Sequence, residues 1–438
     1  MLDTSLIKRD FYLNKLINFK DTSYIKVITG VRRSGKSKLM HLMAEYLLET
    51  GISKDQIIEM NFESFQYKNM TADEVYLHIT NNINKEKRAY IFLDEIQNIA
   101  KWEDAVNALR VDTNCDIYLT GSNAYLLSSE CSTYLSGRCV EIKMLTLNIQ
   151  EFINFHGFKL KEIVDDLGNQ RYVAISESNR EYNIDELFKS YLKFGGFPGL
   201  KERPLNQNNA NLVLEEIYDT VVTKDIINRP KNKNIKQIND GVLLEKILRF
   251  LADSIGSNIS TRKIGNTLQT EGLLEYRKDL GLPSSHTIQQ YVDALKGAYL
   301  FYEVKRFDIR RNEYLKTLGK YYIVDLGLRN LILGSRDRDL GHSIENVVYF
   351  ELLSRGYNVS IGKIQDYEID FIAQKNDEKK YIQVCLSLLD EKVKERELKS
   401  LKLIKDNYEK IILTLDMPYQ SNIDGIKINK LTDWLLDK

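Results

Sequence analysis

The sequence predicts an α/β protein: a parallel-sheet domain first, a helical region next, and a second α/β domain at the end. Three observations carry this expectation. Nearly continuous apolar runs alternate with helical stretches over residues 1–150, the pattern of strands buried on both faces. A glycine-rich loop, Gly30–Ser37, joins the first run to the helix behind it. The chain has 438 residues, and at roughly 150 residues per domain that length implies about three domains.

The elements follow in order. YIKVITG (24–30) is β-branched and ends in Gly, and KSKLMHLMAEYLLETG (36–51) has helical periodicity with a terminal Gly. IIEMNF (57–62), AYIFLDE (89–95) and DIYLTGS (116–122) read as further strands, with a helix at ADEVYLHITNNIN (72–84) among them. Residues 151–235 read as mostly helical, interrupted by one GGFP turn at 195–198. Residues 236–310 read as three helices and a hairpin, the outline of a winged helix. Residues 311–438 mix the helix IENVVYFELLSRG with the strands YEIDFIAQ and KKYIQVCLSL.

Composition excludes several classes. Sixty-two Lys and Arg balance sixty-two Asp and Glu, so any polyanion contact must be a local patch. Five prolines and no low-complexity tract argue against long disordered linkers. No apolar stretch approaches membrane-spanning length, and the start MLDTSLIKRDFYLNKL lacks a signal-peptide core. Cys115, Cys131, Cys139 and Cys385 form no C-x-x-C pair, so a reduced cytoplasmic chain without structural zinc is expected.

Gly30, Val31, Arg32, Arg33, Ser34, Gly35, Lys36 and Ser37 fit G-x-x-x-x-G-K-S/T, between a strand and a helix. Such a loop converges backbone N–H groups on phosphate at a helix N-terminus. Lys36 is expected to reach the phosphates, with Lys38 beside it, and Ser37 to enter a Mg²⁺ shell. Ile91–Glu95 is an apolar strand ending in two acids. Asp94 is the expected metal-side carboxylate and Glu95 the water-activating one. At the end of the next strand, Asn123 or Ser122 is placed to sense the γ-phosphate, or simply to make a turn.

The stretches IKVITGVRRSGKS, IFLDEIQNIAKWEDAV, LTGSNAYLLSSECSTYLSGR and YLKFGGFPGL together resemble prokaryotic ATPases of the AAA+ superfamily that carry a GVRRxGKS phosphate loop. The resemblance implies ATP and Mg²⁺ as cofactors, Lys36, Ser37, Asp94 and Glu95 as the working residues, and Asn123 as sensor. Arg32 and Arg33, which fit that family's loop, have two readings: phosphate contact or anchorage to an acid elsewhere. Arg138 has two readings as well: an arginine finger, in cis or from a neighbouring subunit of an oligomer, or a structural ion pair.

Within the winged-helix stretch, Ser284, Ser285, His286 and Gln289 open the third helix (284–289) with side chains suited to phosphates or base edges. Over 305–320, Lys305, Arg306, Arg310, Arg311, Lys316 and Lys320 oppose only Asp308 and Glu313. DNA is therefore an expected partner, with a protein-docking role as the alternative. The final segment places Glu345 on a helix, Asp370 on a strand, and Gln383 and Cys385 on the next strand. This resembles the PD-(D/E)xK nuclease arrangement, with glutamine for the second acid and cysteine for the lysine. A degenerate, non-cleaving domain is the expectation.

The expected activity is Mg-dependent ATP hydrolysis coupling nucleotide state to domain rearrangement. Two alternatives stand beside it: a slow nucleotide-dependent switch for DNA or protein binding, and an ATP-regulated nuclease.

Overall fold

The computed structural model describes residues 7–122, 137–164, 170–202, 204–228, 238–270, 283–417 and 419–437. Asn123 and Cys131 lie outside them. The chain divides into two compact units: Met1–Leu145 with Gly297–Tyr299, and Thr146–Lys296 with Leu300–Lys438.

The first unit is organised by five strands: β1 (Ile25–Thr29), β2 (Ile57–Asn61), β3 (Ala89–Asp94), β4 (Cys115–Gly121) and β5 (Cys139–Lys143). They form one all-parallel sheet in the order β2-β3-β4-β1-β5. Strand parity divides the apolar residues between two cores. Val27, Ile91, Leu93, Ile117 and Leu119 face one way, against Val75 and Ile79 of the helix Ala72–Asn82 and Val106 and Leu109 of the helix Trp102–Asp112. Ile28, Tyr90, Phe92, Tyr118 and Ile142 face the other way, against the helices Asp10–Asn18 and Lys36–Glu49. Four strands lie where the apolar runs predict them. The fifth, β5, was not among the expected strands; its CVEIK alternates polar and apolar side chains at the sheet edge, with only Ile142 fully buried.

The second unit departs from expectation in two places. Residues 159–183, read as helical, form a three-stranded antiparallel sheet of β6 (Lys159–Val164), β7 (Gln170–Ile175) and β8 (Glu181–Asn183). The charge-rich KLKEIV has no continuous apolar run, because a solvated hairpin needs only one dry face. The helices Ile149–Phe155 and Ile184–Phe194 flank it, and Gln207–Thr220 follows in the chain.

The larger sheet has nine strands: β9 (Asn258–Ile259), β10 (Phe301–Asp308), β11 (Glu313–Ile323), β12 (Asn358–Ile364), β13 (Tyr367–Lys375), β14 (Glu378–Cys385), β15 (Glu409–Thr414), β16 (Asn422–Ile423) and β17 (Ile426–Lys430). Their order is β16-β17-β15-β14-β13-β12-β10-β11-β9. The division expected at 310/311 falls inside the β10–β11 hairpin, and β10 also pairs in parallel with β12. The hairpin and the C-terminal strands are thus one hydrogen-bonded sheet.

The GGFP turn has a packing role. Gly196 donates its N–H to Asp325 Oδ2 at 2.7 Å, and a Cβ there would sit 2.3 Å from the Leu147 carbonyl oxygen. Asp325 also caps the helix Leu326–Leu333, accepting from the N–H groups of Gly327 (2.9 Å) and Leu328 (3.3 Å). Burial pushes its carboxyl up to about 6, against the opposing pull of these three donors. A raised carboxyl pKa means that the folded state holds a proton the unfolded chain has released. Stability contributed below the unfolded value is therefore lost as pH rises from about 4 through 6, by up to about 3 kcal/mol. Urea unfolding of wild type and Asp325→Asn across that window should show this component of the slope in the wild type and its loss in the variant.

Candidate nucleotide-phosphate site at the carboxyl edge of the first sheet

The phosphate loop leaves β1 at Gly30, whose φ is +139° and whose absent Cβ would lie 2.1 Å from the Met144 carbonyl oxygen. Only glycine lets the chain pass so close to the segment after β5. Arg33 (φ +67°) and Gly35 (φ +101°) turn the backbone into the helix Lys36–Glu49. Lys36 is buried, and its ammonium donates to the carbonyls of Gly30 (3.0 Å) and Val31 (3.2 Å). From beneath, buried Arg9 donates to the carbonyls of Ser34 (3.1 Å) and Leu145 (2.8 Å) and lies 4.6 Å from the Tyr12 ring centroid.

The two acids stand at the end of β3. Asp94 accepts from Asn61 Nδ2 at 2.9 Å and from the Thr120 hydroxyl. Burial raises its pKa, opposed by the Thr120 and Ser37 hydroxyls, while Glu95 adds a further upward push. Glu95 adopts a left-handed backbone (φ +55°) and donates its N–H to Thr120 Oγ1 at 2.9 Å; its carboxylate accepts from Gln97 Nε2. A non-glycine residue in this region costs about 1–3 kcal/mol unless its surroundings hold it there. The Thr120 hydroxyl does so, receiving from the Glu95 backbone and donating to Asp94.

Arg32 pairs with Glu63 at 2.9 Å and reaches Ser122 Oγ at 3.4 Å. Arg33 and Lys38 are exposed. The Ser34 hydroxyl is buried without a hydrogen-bond partner among the described residues. An orphaned hydroxyl inside a loop of converging N–H groups fits an oxyanion ligand. Ser37 and Asp94, close enough for the hydroxyl to pull the carboxyl pKa down, supply the hard oxygen donors that Mg²⁺ takes. The residues present therefore fit a nucleotide phosphate and its metal.

A model of the AAA domain matches residues 22–153, and a domain of unknown function (DUF8612) matches residues 185–339. An uncharacterised protein of Haemophilus influenzae is 39% identical over 439 residues, covering 99% of this chain and 100% of that one. The chain belongs to this family of AAA-domain proteins. An uncharacterised protein of Methanocaldococcus jannaschii is 33% identical over 412 residues, covering 92% of this chain and 82% of its own. The Walker-type ATPase of Pyrococcus abyssi aligns with a TM-score of 0.46 at 15% identity, over 74% of this chain and 95% of that one.

In this AAA-domain protein, Arg138 is not part of the loop's surroundings. Its carbonyl accepts from the Ile25 N–H at the amino end of β1, and its exposed guanidinium lies 3.4 Å from Asn107 Oδ1. The phosphate loop begins at the other end of that five-residue strand, about 16 Å away at the usual rise per residue. An arginine finger in cis is thereby removed. Sequence reasoning missed Arg9, Asn61 and Thr120. The last two carried a signal, since each polar side chain ends or nearly ends an apolar strand on the same edge as Asp94.

The second unit arranges its acids around a lysine. Lys320, expected in the basic stretch 305–320, is buried, with Nζ 2.8 Å from Glu345, 2.9 Å from Glu368 and 3.7 Å from Asp370. Tyr322 also donates to Glu345 at 2.6 Å. Burial, then the Glu345 charge, drives the Asp370 carboxyl well above its ordinary range. Gln383 does not face this cluster freely: its amide accepts from the Asp370 N–H (2.6 Å) and donates to Glu397 (2.8 Å) and Ser400 (3.2 Å). Cys385 packs with Ile364, Leu398 and Leu401, and burial pushes its thiol up to about 12. Among the described residues no group of three or more His, Cys, Asp or Glu is arranged to hold a metal. At the start of the helix Ser285–Gly297, Ser284 caps the Thr287 N–H at 3.1 Å, Gln289 pairs with Asp293, and His286 is exposed. No helix among the described residues is long and apolar enough to cross a membrane.

Two variants test these assignments. Thr120→Val should lower turnover of a bound nucleotide with little change in nucleotide affinity, and cost about 1–3 kcal/mol in denaturant unfolding through the unmet Glu95 N–H. Lys320→Ala leaves three acids without their cation and should cost about 3–5 kcal/mol at neutral pH, measured the same way.

Proposed function

We propose that this AAA-domain protein is a Mg-dependent ATPase whose nucleotide state is coupled to domain rearrangement. The observation that carries the proposal is the convergence of Lys36, Ser37, Asp94 and Glu95 at the carboxyl edge of one parallel sheet, with Thr120 joining the two acids. Ligands of open α/β sheets bind along that edge. ATP rather than another nucleoside triphosphate is taken from the family.

Each residue has a defined part. The loop N–H groups and the Ser34 hydroxyl take phosphate oxygens. Lys36 exchanges its two loop carbonyls for those oxygens, a short movement because the ammonium already lies within the loop. Ser37 and Asp94 would hold Mg²⁺, which would supply positive charge against the phosphate oxygens. Glu95 orients the attacking water and accepts its proton, and Thr120 keeps the Glu95 backbone in the required turn. Asn123 remains the proposed sensor, and Arg138 a finger only toward a neighbouring subunit.

The order helix, β9, helix, helix, β10–β11 hairpin supports a winged-helix reading of residues 241–323. The exposed Lys305, Arg310 and Arg311 on the hairpin support DNA as the partner, although Lys320 no longer contributes to that patch. The C-terminal strands support a nuclease-like fold without cleavage, since the Gln383 amide is taken up by the Asp370 N–H, Glu397 and Ser400 and Cys385 is buried among apolar side chains.

ATP hydrolysis and fluorescent-nucleotide binding by wild type, Lys36→Ala and Glu95→Gln test the proposal. Lys36→Ala should lose nucleotide binding, while Glu95→Gln should bind normally and turn over about 100-fold more slowly or worse. Normal hydrolysis by Lys36→Ala removes the proposal. Stimulation by double-stranded DNA that weakens with salt identifies the partner.

A further inference from the structure

We infer that Arg32 and Glu63 form a latch across the reacting end of β3, which the last phosphate of a nucleoside triphosphate opens and a diphosphate does not. The inference rests on the ATPase reading above.

Arg32 belongs to the loop after β1, yet two of its partners lie beyond other strands. Glu63, 2.9 Å from Nη1, lies two residues beyond β2, and Ser122, 3.4 Å from Nη2, lies just beyond β4. In the sheet β3 stands between β2 and β4. The guanidinium therefore spans the carboxyl end of β3, the place of Asp94 and Glu95. Glu63 is itself tied to Asp94. Its N–H donates to Asn61 Oδ1 at 2.8 Å, and Asn61 Nδ2 donates to Asp94 Oδ2 at 2.9 Å. One asparagine thus connects the partner of the loop arginine to the metal-side carboxylate.

The strength of this pair suits a latch. The Arg32 side chain is 12% exposed and that of Glu63 is 43% exposed, so solvent screens the carboxylate and the pair is weak. A planar guanidinium binds a phosphate in bidentate fashion, with more opposing charge than one carboxylate offers. The terminal phosphate of a triphosphate lies on the side of the catalytic acid, within the span that Arg32 already crosses. A diphosphate stops short of it. A ligand shifts such an equilibrium only by its differential affinity for the two arrangements, and here that difference resides in the last phosphate. Arg32 thereby acts as a phosphate-contacting residue, and Glu63 as a positioning residue that holds it in the nucleotide-free arrangement.

The test is displacement of a fluorescent nucleotide from the full-length chain by the non-hydrolysable triphosphate AMP-PNP and, separately, by ADP. Glu63→Gln should tighten AMP-PNP by about two- to fivefold, the range of a screened ion pair, and leave ADP unchanged. Arg32→Ala should lose the preference for AMP-PNP over ADP, and adding Glu63→Gln to it should change nothing further. Arg32→Lys keeps the charge without the fork and should also lose most of that preference; its melting temperature reports whether the fold is kept. Equal shifts for AMP-PNP and ADP overturn the latch, as does a Glu63→Gln effect that persists without Arg32. Full retention of the preference by a folded Arg32→Lys overturns it too. A wild type that binds neither nucleotide overturns the ATPase reading and the latch together, whereas binding with equal shifts overturns the latch alone.

Discussion

A sheet buried on both faces can place reactive polar groups only along its edges, and the first unit follows from that constraint. Val27, Leu93 and Leu119 point into one core while Ile28, Phe92 and Tyr118 point into the other. What is left for chemistry is the row of strand ends: Gly30 after β1, Asn61 ending β2, Asp94 ending β3, and Thr120 one residue from the end of β4. The Thr120 hydroxyl links two of these ends, and its pair of hydrogen bonds holds Glu95 in a backbone conformation it would not otherwise keep. The acidic pair is thereby arranged before any ligand arrives, which is what electrostatic catalysis requires.

The opposite edge of the same sheet holds charge for another purpose. Lys26 and Asp116, both fully buried, pair near the amino ends of β1 and β4, with Tyr118 and the Asp21 backbone completing the acid's hydrogen bonds. The pair satisfies its own charges within a dry environment, where an unpaired member would be costly. Lys320 repeats this logic in the second unit. Its ammonium stands among Glu345, Glu368 and Asp370, so a lysine that reads as part of a solvent-facing patch is an internal counter-ion.

Much of the first unit was legible in the sequence because its signals are local. The phosphate loop needs Gly30 and Gly35 at fixed separations within eight residues, and the strand before Asp94–Glu95 is continuous in the chain. Arg9 was not legible as a site residue, and Asn61 and Thr120 showed only their place at strand ends, since each acts on a group 25 or more residues away. Arg138 shows the converse: its position after the fourth predicted strand says nothing about which end of β1 it meets. The pairing of β5 with β1 places it at the amino end.

The sequence by itself determined the α/β class, the phosphate loop and its acids, and most of the strands of the first sheet, because period and spacing act over a few residues. Only the tertiary structure decided that the hairpin at 301–323 is continuous with the C-terminal sheet, that Lys320 is a buried counter-ion, and that Arg32 crosses β3 to reach Glu63. Those outcomes depend on which distant strands pair, and pairing is settled by burial of the whole set rather than by any segment alone.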